Sequence, residues 1–143
     1  MEKKITFTVE HGLTEGDVLD ILTTALEGGI GYWACLDNTT DEWVEARAQW
    51  KAEHNNETPC YCDVAYQVMK NGKAVVFIDE EESAESDEEV TYELTLEKFI
   101  QGCSKYSAWC GKDIHKMMQE AEFDANDADG IIQFALFGEW IYG

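Results

Sequence analysis

Residues 131–137, Ile-Ile-Gln-Phe-Ala-Leu-Phe, are apolar on nearly every side of a helical wheel, and no other stretch limits the fold as much. Such a helix is stable only when buried on most sides. In a chain of 143 residues, long enough for one ordinary core, the remaining elements must supply that cover. Asp127 and Asp129 stand where acids favour a helix start, and Gly138 stands where the helix stops. Residues 139–143 are expected to close as a short strand.

A second firm helix lies near the other end. Thr14-Glu15-Gly16-Asp17 reads as a capping box, and Val18, Leu19, Ile21, Leu22, Ala25 and Leu26 follow at helical spacing. Gly28-Gly29 then offers the positive φ at which helices end. Ahead of it, Ile5, Phe7 and Val9 alternate with Thr6 and Thr8, the period of a half-buried strand. A further helix is expected from Thr39 or Thr40. It puts Trp43, Ala46 and Trp50 on one stripe and Glu45, Arg47 and Lys51 in water, and it stops before Asn55-Asn56, with Pro59 in the loop beyond. Residues 61–70 and 73–79 flank Asn71-Gly72, which predicts a β-hairpin with a type I′ turn. Eight of the eleven residues from Asp79 to Glu89 are acidic, the composition of a solvated loop. Val90–Leu94 predicts a strand, and Thr95 caps a helix that turns Leu96, Phe99, Ile100 and Cys103 inward. Residues 104–112 look irregular, and a short helix over 113–121 follows. The order β-α-α-β-β-β-α-α predicts a single α+β domain spanning 1–143, an antiparallel sheet with helices packed against it.

Charge narrows the partners. Thirty Asp and Glu against ten Lys and Arg give a net charge of −20, and Arg47 is the only arginine. Direct nucleic-acid binding is excluded, because that affinity comes from cations displacing condensed counterions. Attraction to an anionic membrane fails for the same reason. A basic protein is admitted, including one whose nucleic-acid groove would take Asp79, Glu80, Glu81, Glu82, Glu85, Asp87, Glu88 and Glu89 in place of phosphates. Solubility alone explains the charge equally well. No apolar run approaches the length of about 18 residues that spans a bilayer. Lys3-Lys4 leads directly into the strand-like segment instead of a signal core, so a cytoplasmic site and reduced thiols are expected for the five cysteines.

Catalytic motifs are missing: the chain has no G-x-S-x-G, P-loop, G-x-G-x-x-G or H-E-x-x-H. Cys60-Tyr61-Cys62 with His54 matches no common zinc spacing, even with Cys35, Cys103 or Cys110 as a fourth ligand, so no metal and no cofactor is expected. His11, His54 and His115 stand in no recognised catalytic context, and an enzyme is disfavoured. The most suggestive stretch is Glu27-Gly28-Gly29-Ile30-Gly31-Tyr32-Trp33. Its glycines let a backbone approach a ligand, its rings offer stacking faces and its acid accepts hydrogen bonds from ribose hydroxyls or an amine. The same residues also describe a helix end followed by two core aromatics.

Ala25-Leu26-Glu27-Gly28-Gly29-Ile30-Gly31-Tyr32-Trp33, residues 127–139 from Asp127 to Glu139, and Tyr142-Gly143 together resemble a family of small proteins carried by phages and prophages of gut-type bacteria. Residues 92–99 resemble its middle region, while 37–62 and the acidic run are peculiar to this chain. The resemblance implies an accessory protein that antagonises a host defence inside the infected cell. One route is sequestration of a nucleotide-derived immune signal, with Glu27, Gly28, Gly29, Tyr32, Trp33, Phe137, Glu139 and Tyr142 meeting around the ligand and a homodimer as the expected assembly. The other routes are mimicry of DNA by the acidic run against a basic defence protein, and a small hydrolase or other host-takeover factor.

Overall fold

The structure, a computed structural model, describes residues 2–143. Helix α1 (Glu15–Thr24) runs on into a single π-turn (Ala25–Gly29), followed by strand β1 (Ala34–Leu36), α2 (Asp41–Glu53), α3 (Tyr61–Lys70), β2 (Val75–Asp79), α4 (Glu80–Ser86), β3 (Val90–Leu94), α5 (Leu96–Cys110), α6 (Ile114–Gln119) and α7 (Ala125–Phe137). The three strands form one antiparallel sheet in the order β1-β2-β3, with Phe77 opposite Leu36 on one side and Tyr92 on the other. This is the expected α+β arrangement of helices on an antiparallel sheet.

Helix α7 is the axis of the packing. Every residue from Ala128 to Phe134 is buried, and α5, the π-turn, α1 and β3 close around it. The approach of α5 is very close. A Cβ on Gly102 would lie 2.5 Å from the Cβ of Ala135 and 2.7 Å from the carbonyl of Ile131, so only glycine permits this crossing. Gly29 plays the same part at the other end, where a Cβ would stand 2.9 Å from the carbonyl oxygen of Ala125.

Capping follows the sequence. Thr14 and Asp17 form the reciprocal capping box of α1, Thr40 caps α2 and Thr95 caps α5. Among the described residues no helix is long and apolar enough to cross a membrane.

Several local expectations are corrected. Residues 5–9 form no strand. Asn71-Gly72 does not turn a hairpin: residues 61–70 are helical, with Val64, Ala65, Val68 and Met69 buried at helical spacing. Gly72, at φ 74°, closes that helix, its N–H donating to Met69 and the N–H of Lys73 to Val68. Asn-Gly signals a left-handed residue, and helix ends need one as much as hairpins do. Gly28-Gly29 takes no positive φ, because the helix continues through it as a π-turn. The acidic run is mainly the helix α4, capped by Asp79, whose side chain accepts from the N–H of Glu82. Helix α5 extends through the stretch expected to be irregular, burying Phe99, Gly102, Cys103 and Tyr106 and leaving Ile100 outside. Residues 139–143 are irregular instead of a strand.

Candidate functional site

The two sequence signatures do meet in space, around buried carboxylates. Asp129, on the inner face of α7, accepts from Trp33 Nε1 at 2.9 Å, Tyr32 Oη at 2.5 Å and Gln133 Nε2 at 2.9 Å. The amide oxygen of Gln133 accepts from the N–H groups of Ile141 and Tyr142, both at 2.9 Å, which lashes residues 140–143 to α7. Tyr142 then reaches the second carboxylate: Asp79 accepts from Tyr142 Oη at 2.6 Å, Tyr92 Oη at 2.9 Å and the N–H of Glu82 at 3.0 Å. Three donors apiece compensate the burial of these two acids, which otherwise would cost several kcal/mol. The phenols respond in turn. Burial, reinforced by the adjacent carboxylate, pushes Tyr32 and Tyr92 up to about 12, and pushes Tyr142 upward likewise.

This knot is largely closed. Trp33 is 0% exposed, stacked on Tyr142 at 5.0 Å and packed on Phe137 at 5.5 Å, so its faces are already occupied. Gly29 is buried, Gly28 and Glu139 are exposed on the outside, and Phe137 and Tyr142 are half-buried. Only Tyr32 keeps an open face, on a small cavity of about 490 Å³ shared with Asn126, Asp129, Trp140 and Gly143. The indole N–H of Trp140 has no hydrogen-bond partner among the described residues. With a buried carboxylate and no cation in its lining, this cavity does not suit a phosphate.

A larger cleft, about 970 Å³, opens between α2 and α3, and one of the expected residues, Glu27, lines it. Its polar walls are Arg47 and Lys51 from α2, Asn38, Thr58 and Thr23. Its aromatic wall is Trp43 and Tyr61, with ring centroids 6.0 Å apart. Tyr61 is 56% exposed and Trp43 is buried, so the outer ring has a free face and the inner one fixes it. Arg47 and Lys51 are one turn apart, and among the described residues neither has a carboxylate within 4.0 Å. What sets this pair apart is its place: two cations one turn apart line a single cleft, opposite one acid of that lining, Glu27, within a molecule of net −20. Cys60 and Cys62 border the same cleft, at the start of α3.

Sequence reasoning placed Arg47 and Lys51 in water and did not join them to a site. A signal was present: positions three and four away from either hold no acid, and each is the other's like-charged i,i+4 neighbour, an arrangement that costs helix stability. The acidic residues divide. Asp79 is fully buried as a cap, whereas Glu80, Glu81, Glu82, Glu85, Asp87, Glu88 and Glu89 are exposed on or just after α4. His115 Nδ1 stands 2.6 Å from Asp17 Oδ2, and burial, which raises the Asp17 carboxyl, is outweighed by the Thr14 and His115 hydrogen bonds that hold it low. Among the described residues no serine, threonine or cysteine side chain hydrogen-bonds that imidazole, and no three His, Cys, Asp or Glu side chains gather as metal ligands. No family model, curated protein or solved structure matches the chain.

Proposed function

We propose that the protein binds an anionic, ring-bearing small molecule of the nucleotide class in the α2–α3 cleft and holds it without cleaving it. The observation that carries this reading is the Arg47–Lys51 pair, without a carboxylate within 4.0 Å among the described residues, lining the α2–α3 cleft beside the open face of Tyr61. Arg47 and Lys51 take the phosphate, with the guanidinium donating in parallel to two oxygens. Tyr61 stacks on the base, and Glu27, Asn38 and Thr58 serve the ribose and the base edge. The resemblance to phage-borne proteins supplies the use: withdrawing a nucleotide-derived immune signal from a host defence. Its site is therefore the cleft, with Glu27 the one residue shared with the corner singled out in the sequence.

Calorimetry against cyclic dinucleotides and ADP-ribose derivatives tests this. We expect saturable binding, recovery of the ligand unchanged after heat release, and a loss of about 10- to 100-fold in affinity for Arg47→Ala, the worth of a hydrogen bond to a charged group. Tyr61→Ala should cost a similar factor through lost stacking. Binding that survives Arg47→Ala, or a ligand recovered hydrolysed, would refute the reading.

A second reading rests on α4, whose exposed carboxylates are presented on a helix and so could dock in the basic groove of a defence protein. Salt-sensitive capture of such a protein, abolished by neutralising Glu80, Glu81, Glu82 and Glu85 and untouched by Arg47→Ala, would favour it.

A further inference from the structure

Residues 2–10 run without helix or strand, and Ile5, Phe7 and Val9 are 93%, 84% and 60% exposed. Three large apolar side chains alternating with threonines thus form the buried side of a strand with nothing to bury it. The sheet offers the complementary deficit. β3 is an edge strand, paired with β2 alone among the described residues. The pairing fixes which of its groups are free. Glu80 N donates to Trp33 O at 2.8 Å and Asp37 N to Val76 O at 2.9 Å, so Val76 and Ile78 turn their backbone groups to β1. Val75, Phe77 and Asp79 therefore serve β3, and Thr91 and Glu93, opposite Ile78 and Val76, direct theirs outward; the Glu93 carbonyl already accepts from Lys98 Nζ at 3.0 Å, which leaves the two N–H groups and the Thr91 carbonyl for a further strand.

We propose that residues 5–9 of one copy add as a fourth strand along β3 of a second copy, and reciprocally, to close a strand-exchanged homodimer. Register and face agree: Val90, Tyr92 and Leu94 are the inward side of β3, and Ile5, Phe7 and Val9 prolong it, with Phe7 extending the Tyr92–Phe137 aromatic pair. Charge chooses the direction. Lys3 and Lys4, immediately ahead of the uncharged residues 5–9, are adjacent cations in a chain of net −20, and a parallel addition lays them beside Glu88, Glu89 and α4. The occupant is a second copy because the segment's root is held elsewhere. His11 Nδ1 lies 3.8 Å from Asp113 Oδ2 at the start of α6, while the main neighbours of β3 are β2, α7 and α4. Reciprocal exchange satisfies both edges at once and leaves no open end for further addition.

Light scattering on the eluting full chain should give twice the chain mass, falling to the chain mass on dilution. Phe7→Asp removes the apolar face of the segment, and Thr91→Pro removes an outward N–H that the fold does not use. Each should halve the mass with circular dichroism unchanged. Mixing the two variants should restore a heterodimer, since one keeps the edge and the other the segment. A monomeric wild type, or a dimer that survives Phe7→Asp, would overturn the proposal. Hydrogen exchange decides the remaining case: protection of residues 5–9 that grows with concentration supports exchange between copies, and protection independent of concentration means pairing within one chain and overturns it.

Discussion

Asp129 and Asp79 hold the molecule together by accepting, from neutral phenols and an indole, the hydrogen bonds that a cation would supply elsewhere. The cost appears at high pH. A phenol whose folded value lies above its ordinary value of 10 adds stability below pH 10, and that contribution is lost as pH rises through the folded value, about 12 for Tyr32 and Tyr92. Tyr106, bonded to Asp127 at 2.5 Å and pushed up chiefly by burial, behaves alike. We therefore expect stability to fall between pH 10 and 12, with these phenols ionising together with unfolding in absorbance at 295 nm, and Tyr142→Phe to shrink that dependence. Phenols that ionise independently, before circular dichroism changes, would contradict this. At the residue scale the sequence was half legible. Tyr32, Trp33, Phe137 and Tyr142 were singled out together and do converge, but their acceptors Asp129 and Asp79 read as a helix-start acid and a loop acid. A carboxylate's burial depends on donors 96 and 97 positions away, which no local pattern encodes.

Among the elements, the α5–α7 crossing is the most constrained contact. Gly102→Ala places a methyl 2.5 Å from the Cβ of Ala135, so the helices must part; we expect a loss of about 1–3 kcal/mol, read as a lower urea midpoint at unchanged slope. Ala135→Gly in the same chain should recover part of it by removing the opposing methyl. Helices with a cap and a one-sided apolar stripe, such as α1 and α2, were readable, because both signals are local. α3 was not, since its Asn71-Gly72 end has the chemistry of a hairpin turn. α5 ran past its expected end because Tyr106, within the stretch expected to be irregular, is buried against Gly130 and Phe134 of α7 and carries the helix on to Cys110. β1 escaped notice because only three residues pair.

For the whole molecule, the dominant fact outside the core is a net charge of −20 relieved by only three ion pairs among the described residues, two of them through histidine. Self-repulsion of that size opposes compaction. Added sodium chloride should raise the urea midpoint steadily at neutral pH, as the screening length falls from about 30 Å at 0.01 M to about 10 Å at 0.1 M. A midpoint indifferent to salt would mean that the acids are spaced too widely to oppose one another. The α+β class was legible because it depends on the kinds of element present; which helices fill the gaps between strands was not.

The side chain of Asp79, at the end of the central strand, is a junction of three parts: the first turn of α4, Tyr92 of β3 and the ring of Tyr142. Loosening any one leaves the same carboxylate short of a donor, so these parts should open as one cooperative unit instead of fraying separately. A ligand or partner that gripped residues 140–143 would thereby change how firmly the acidic helix is held some sixty positions away in the chain.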